Sequence, residues 1–447
     1  MHSSRQARRL LALSAAGALL VAAGCGGSTA HHSAAGPATT SPDPAPTTAS
    51  ATPTHTTPSP TRHRPSPTAT TASPTPKPTP TPSPTRSRRP PPKPAAPALP
   101  ASARCVRSRI TGMSLDRRVG QLLMVGVPAT DPASGTSLVQ SGVGNIFLQG
   151  HSSASVEELR AETAQLQATA RATTGIGVQV AVDQEGGLVQ SLRGPGFASI
   201  PSAVDQGQLS ISTLREQTAT WAGELTRAGI TLDLAPVSDT VPPGTAAENP
   251  PIGAFGREYG SDSATVASRV GTVVAAMRSQ GLSATVKHFP GLGRVRANTD
   301  TSIAAVDSVT SASDPYLRPF QAGIQAGAAV MVSSATYPRL DPDHVAAFSS
   351  AVIDGLLRNQ WGYDGMVVSD DLGAAVAVSA VPAGQRAVDF VAAGGDLVLT
   401  VQPTDVAPML ADLRARAADD AQFRARVDDA VRHVLLSKYR SGLLRCG

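Results

Sequence analysis

Thr285-Val286-Lys287-His288-Phe289-Pro290-Gly291-Leu292-Gly293 decides how this chain is read. Leu282 to Val286 forms a short buried strand, and Lys287 and His288 fall at its C-terminal end. Phe289-Pro290-Gly291 then turns the backbone sharply into a polar loop, Arg294 to Ser302. A cation beside an imidazole at a strand end suits neither a core nor a plain surface. It suits the gripping of hydroxyl groups, since Lys offers three donors and neutral His one donor and one acceptor.

The same layout recurs along the chain. Val178 to Val182 is apolar and ends in Asp183-Gln184-Glu185-Gly186-Gly187; Ile230 to Val237 ends at Ser238-Asp239; Met366 to Val368 ends at Ser369-Asp370-Asp371-Leu372. Further runs end near Val127, Gln149 and Ser334, and an eighth spans Asp396 to Leu399. Segments between them, such as Ser155–Arg171 and Ser210–Ala228, show helical spacing and length. Strands alternating with helices imply parallel βαβ units. Eight such units in the last three-quarters of the chain predict an α/β fold of the (β/α)8, TIM-type barrel class, in which sites are built at the C-terminal ends of strands. An open, doubly wound sheet is the competing arrangement.

The chain starts differently. Arg5, Arg8 and Arg9 precede an apolar stretch, Leu10 to Ala23, too short for an ordinary membrane span. Leu20-Val21-Ala22-Ala23-Gly24-Cys25 resembles a bacterial lipoprotein signal, so residues 1–24 are expected to be a signal peptide and Cys25 the lipidated residue. Residues 25–103 are rich in Pro, Thr, Ser and Ala and cannot bury enough apolar surface to offset ordering, which predicts a disordered, extended linker. The expected location is the extracytoplasmic face of the cell membrane, held by the lipid. The catalytic barrel is then residues 104–447. Residues 1–103 hold ten Lys and Arg against Asp43 alone, a formal +9; with +5 for the whole chain, residues 104–447 carry −4. The basic total therefore belongs to the linker, and no basic helix or aromatic platform points to nucleic acid. With Cys25 lipidated, Cys105 and Cys446 remain, one at each end of the barrel region, where first strand and last helix are neighbours. An oxidising location permits a disulfide between them. No Cys/His spacing suggests a metal, no cofactor is expected, and a monomer is expected.

Taken together, the strand ends offer Asp183, Lys287, His288 and Asp370. Arg257 is added by the insert Pro251 to Gly260 after the fourth strand. Carboxylates accept from vicinal hydroxyls while Lys, Arg and His donate back, which suits a sugar. Hydrolysis of a glycosidic bond needs a nucleophile or base on one face and an acid on the other. Asp370 follows three buried apolar residues and is held rigidly, as a nucleophile requires; its neighbour Asp371 reads as a helix N-cap.

At these residues the chain resembles bacterial β-N-acetylglucosaminidases of glycoside hydrolase family 3, which trim peptidoglycan fragments. The resemblance rests on Asp183-Gln184-Glu185-Gly186-Gly187, Ala235-Pro236-Val237, Lys287-His288-Phe289-Pro290-Gly291, Leu340-Asp341-Pro342 and Val368-Ser369-Asp370-Asp371-Leu372, in that order. It implies that Asp370 is the nucleophile of a retaining mechanism and that Asp183, Arg257, Lys287 and His288 bind the sugar. It also implies a muropeptide-like carbohydrate substrate.

Three positions depart from the family pattern. Its Asp-x-His acid/base pair, eleven and thirteen residues after the Lys, falls here on Asn298 and Asp300. Asp300 is thus the candidate acid/base, since a carboxylic acid serves if burial or a nearby charge raises its pKa. Leu188 stands where the Glu-Gly-Gly motif is followed by Arg. The expected function is an exported exo-β-N-acetylglucosaminidase. The competing readings are a catalytically weakened sugar-binding lipoprotein and a β-glucosidase or phosphorylase-like enzyme.

Overall fold

The computed structural model describes residues 100–446. The expected signal peptide, Cys25 and the linker up to residue 99 lie outside the described residues. Eight parallel strands close into a barrel: β1 Leu123–Pro128, β2 Asn145–Gln149, β3 Gln179–Val182, β4 Leu232–Asp233, β5 Ser283–Phe289, β6 Ala329–Val332, β7 Val367–Asp371 and β8 Leu397–Thr400. Each pairs with its sequence neighbours, and β1 with β8 completes the ring in the register Leu123↔Val398 and Met124↔Leu399. An open doubly wound sheet is thereby excluded.

The strands exist for the reason their composition gave. Val180 to Val182, Val330, Val367, Val368, Leu397 and Val398 are wholly or nearly wholly buried, β-branched or aliphatic, and packed on both sides as parallel strands require. Between them run long amphipathic helices. In α1, Val156–Thr174, the buried Leu159, Thr163, Leu166 and Ala170 recur at three- and four-residue intervals. Its N-terminus is a capping box: Ser155 Oγ accepts from Glu158 N–H at 3.2 Å, and Glu158 Oε2 accepts from Ser155 N–H at 2.7 Å. Ser210 likewise caps α2, Ile211–Arg227.

Two expectations need correction. The linker does not extend to residue 103, because a helix spans Ala101–Thr111. Its Val106 is buried against the barrel, so burial there offsets the ordering that Pro-free Ala101-Ser102-Ala103 requires. The fourth strand is two residues long instead of eight. Pro236 has no N–H to donate. Pairing past Asp233 continues as Leu234 N–H to Val182 O at 2.8 Å and Thr285 N–H to Ala235 O at 2.9 Å, and beyond Pro236 as an isolated Val237–Lys287 bridge with Ser238 N–H to Lys287 O at 2.6 Å.

The end of the barrel remote from the strand C-termini is closed by buried ion pairs. Asp396, fully buried, accepts from Arg358, Arg426 and His433 at 2.6, 2.6 and 2.9 Å. These cations hold its carboxyl far below the usual range, although burial alone would raise it.

Cys105 and Cys446 are joined, with Cα atoms 5.8 Å apart and a sequence separation of 341. Closing so long a loop restricts the unfolded chain. Reduction, or Cys446→Ser, is expected to lower unfolding free energy by about 2–4 kcal/mol in urea titrations. Identical titrations with and without reductant would show that the bridge contributes nothing.

Candidate active site

The site sits at the C-terminal ends of the strands. Asp183, Arg257, Lys287, His288, Asp300 and Asp370 all line one cavity of ≈ 360 Å³. Asn298, Thr299, Asp371 and an apolar wall that includes Phe147, Leu234 and Met331 complete it. Side chains drawn from positions 183 to 370 thus meet in one place.

At the buried end lies a charge cluster. Lys287, near the C-terminal end of β5 and 2 % exposed, donates to Asp183 Oδ1 and Glu185 Oε1, both at 2.6 Å. Glu185 also accepts a fork from Arg257, Nε to Oε2 at 2.8 Å and Nη2 to Oε1 at 2.7 Å. Burial alone would raise the Glu185 carboxyl, but Arg257 and Lys287 bring it down to about 2. Burial alone would likewise pull Lys287 down, and the carboxylates of Asp183 and Glu185 raise it instead. Both groups are therefore charged at any working pH. Lys287 keeps one N–H beyond these contacts, while Arg257 Nη1 also donates to Pro251 O at 2.7 Å and its Nη2 lies 3.5 Å from His288 Nε2.

Local sequence explains how Glu185 reaches this place. Directly after β3, Gln184–Gly186 folds back on Val189–Gln190 as a small antiparallel hairpin. Gly186 has φ +102°, and a Cβ there would run into Pro201 O. Glu185 was quoted in the sequence motif without a role, because its partners lie 72 and 102 residues further along the chain.

Asp239 is the second residue whose role the sequence hid. Fully buried beyond β4, it accepts from His288 Nδ1 at 2.8 Å, His288 N–H at 3.2 Å and Leu292 N–H at 2.7 Å. With Nδ1 engaged by the Asp239 carboxylate, His288 places Nε2 3.5 Å from Arg257 Nη2. Below the site, Phe289 packs edge-on against Phe320 and Trp361, each centroid 5.4 Å away. Tyr337 Oη donates to Gly291 O at 2.9 Å, which pins the turn. Asp233, on β4, is fully buried and accepts from Gln184 N–H; burial pushes its carboxyl up to about 8.

Asp370 is the penultimate residue of β7, half-buried where the strand leaves the barrel. Asp371 is a cap, though not of a helix. Its carboxylate takes N–H bonds from Gly373, Ala374 and Val401 at 2.8–2.9 Å, so it closes a turn and ties that turn to the segment after β8. Asp300 lies across the cavity on the loop after β5. Asn298 Oδ1 accepts its N–H at 2.9 Å, an Asx turn. Burial, followed by the charge of Asp370, raises the Asp300 carboxyl above its ordinary value, while His288 and Arg257 moderate the rise. Asp300 lines the cavity while its side chain also remains exposed to solvent. Among the described residues, no three His, Cys, Asp or Glu side chains are grouped to hold a metal ion.

A barrel whose strand ends and following loops gather carboxylates, two cations and an imidazole around one cavity has the layout of a glycosidase. Residues 114–436 match the glycosyl hydrolase family 3 N terminal domain. The chain is 34% identical over 313 residues to a β-hexosaminidase of Xanthomonas euvesicatoria, covering 67% of this chain and 89% of that one. It is similar to the crystal structure of a β-N-acetylhexosaminidase from Beutenbergia cavernae, with TM-score 0.71 and 48% identity over 73% of this chain and 99% of that one. It is also similar to a family 3 β-N-acetylglucosaminidase from Paenibacillus, with TM-score 0.66 and 29% identity over 74% of this chain and 63% of that one. The chain belongs to glycosyl hydrolase family 3.

Proposed function

We propose that this protein is a retaining exo-β-N-acetylhexosaminidase that removes terminal β-linked N-acetylglucosamine. The observation that carries the proposal is the convergence of Asp370 and Asp300 on one cavity with Asp183, Arg257, Lys287 and His288. At ≈ 360 Å³ the cavity lies near the lower end for small-molecule sites, room for one terminal sugar and not a chain. Relatives with the printed activities β-hexosaminidase and β-N-acetylglucosaminidase support the choice of sugar.

In this mechanism Asp183, Lys287, Arg257 and His288 hold the ring hydroxyls. Asp370 attacks the anomeric carbon as Asp300 protonates the departing oxygen, which gives a glycosyl ester on Asp370 with inversion. Once Asp370 is esterified its charge is gone, and one cause of the raised Asp300 pKa goes with it. Asp300 then takes a proton from water, which attacks the anomeric carbon from the other face and releases the sugar with net retention. Asp300 so replaces the His of the Asp-x-His pair. We further propose that the protein is exported, tethered through a lipid on Cys25, and acts on peptidoglycan-derived fragments. The signal-like start and the Pro/Thr/Ser-rich linker support this reading.

The test compares aryl N-acetyl-β-glucosaminides with aryl β-glucosides, with and without phosphate. Preference for the glucoside would favour a β-glucosidase, and phosphate-dependent turnover a phosphorylase. In the same assay Asp300→Asn is expected to lower kcat/KM by about 10²–10⁴-fold for basic leaving groups and far less for acidic ones. Equal losses across leaving groups would remove Asp300 from the acid role.

A further inference from the structure

We propose that Arg386 is a positioning residue for the reaction: it fixes the one segment that joins the Asp370 strand end to the Asp300 loop. The proposal rests on the reading of Asp300 as acid/base.

Arg386 lies on α3, Ala383–Ala392, and is 8 % exposed. Its guanidinium gathers backbone carbonyls from a single stretch of chain. Nη1 donates to Leu372 O at 2.7 Å and Gly373 O at 2.9 Å; Nε donates to Val381 O at 2.6 Å, and Nη2 reaches Ser379 O at 3.5 Å. That stretch begins directly after Asp370-Asp371. Its Ala374 and Ala375 line the cavity. Its next two residues clamp the acid loop: Val376 N–H donates to Asp300 O at 3.3 Å and Ala377 N–H to Thr299 O at 3.0 Å.

The physical logic is direct. An irregular, partly buried turn leaves carbonyls without ladder partners, and each one shielded from water is costly. One planar, permanently charged fork satisfies four of them and so holds residues 372–381 in one shape. Through that segment the backbone of Asp300 is fixed relative to Asp370. Acid catalysis is sensitive to such placement, since a shift of about 1 Å costs on the order of 10²-fold.

The experiment measures kcat/KM, which reports the glycosylation step, for aryl N-acetylglucosaminides with good and poor leaving groups, well below each variant's Tm. Arg386→Met is expected to lose about 10–100-fold on the poor leaving group and under about threefold on the good one. Arg386→Lys, with three donors but no fork, should recover part of the loss. Val376→Pro is the second variant. It removes only the N–H that reaches Asp300 O, at the first position of a short helix turn where Pro is tolerated, after an Ala375 already at φ −60°, ψ 123°. It should reproduce the leaving-group dependence with little change in Tm. Equal losses on both leaving groups, or unchanged kinetics in both variants, would overturn the proposal. Discrimination in Asp300→Asn without it in Arg386→Met and Val376→Pro overturns the Arg386 role alone. No discrimination in Asp300→Asn removes both readings together.

Discussion

Asp370→Asn is expected to abolish turnover, lowering kcat by on the order of 10⁴–10⁶ as loss of other covalent nucleophiles does. The loss should be as complete for an activated aryl glycoside as for a natural linkage, because no leaving group replaces a missing nucleophile. Folding should survive the change. Asp370 is half-buried, and the turn after it is held by Asp371 and Arg386, which the substitution leaves in place. The measurement pairs steady-state turnover with thermal unfolding, and follows the anomeric proton signal of the wild-type product. Initial release of the β-anomer supports the double inversion. Release of the α-anomer, or near-normal activity in the Asn variant, would overturn the mechanism. The contrast with Asp300→Asn is the informative one, since an acid's absence is forgiven by a good leaving group and a nucleophile's is not.

Glu185→Gln is expected to lower unfolding free energy by about 3–5 kcal/mol, because it leaves the buried cations Arg257 and Lys287 with Asp183 as their remaining carboxylate. Gln also turns an NH₂ group toward donors. Activity should fall with stability, since the same two cations line the cavity proposed to hold the sugar. The pH dependence follows from the sign of the shift. Glu185 titrates at about 2 in the folded state, below its ordinary value of 4.5. Its stabilisation is therefore complete above about pH 4.5 and is lost as pH falls toward 2. The gap between wild type and variant should be full at pH 6–7 and narrow below pH 4.5. A gap that stays constant from pH 7 to pH 3 would show that ionisation of Glu185 is not its source. A gap near zero at pH 7 would show that the cluster is not a stabilising unit.

What the sequence by itself determined follows from short-range physics. An apolar run of four to six residues ending in a charged or polar pair declares a buried strand and its functional end. Asp183, Lys287, His288 and Asp370 were all legible this way, and the structure brings all four to one cavity. Helix starts were legible too, at Ser155 and Ser210, because a hydroxyl three residues before a free N–H is a local event. The two cysteines could be paired from barrel topology alone. The length of the fourth strand was not legible, because Ile230 to Val237 alternates well and only the backbone requirement of Pro236 cuts it short. Asp371 read as a helix cap because a carboxylate after a strand usually meets a helix N-terminus. Its third donor, Val401, arrives only when the eighth strand packs beside the seventh.

Only the tertiary structure decided which charges meet. Glu185 finds Arg257 and Lys287, Asp239 finds His288, and Arg386 finds the turn behind Asp370. Each pairing spans tens of residues or more, or depends on a loop's closed shape, and no periodicity in the chain encodes it. Composition names the groups a glycosidase needs. Closure of the ring sets the distances at which attraction to Arg257 and Lys287 overcomes desolvation and keeps Glu185 an anion, and at which burial and the charge of Asp370 raise the Asp300 carboxyl above its ordinary value.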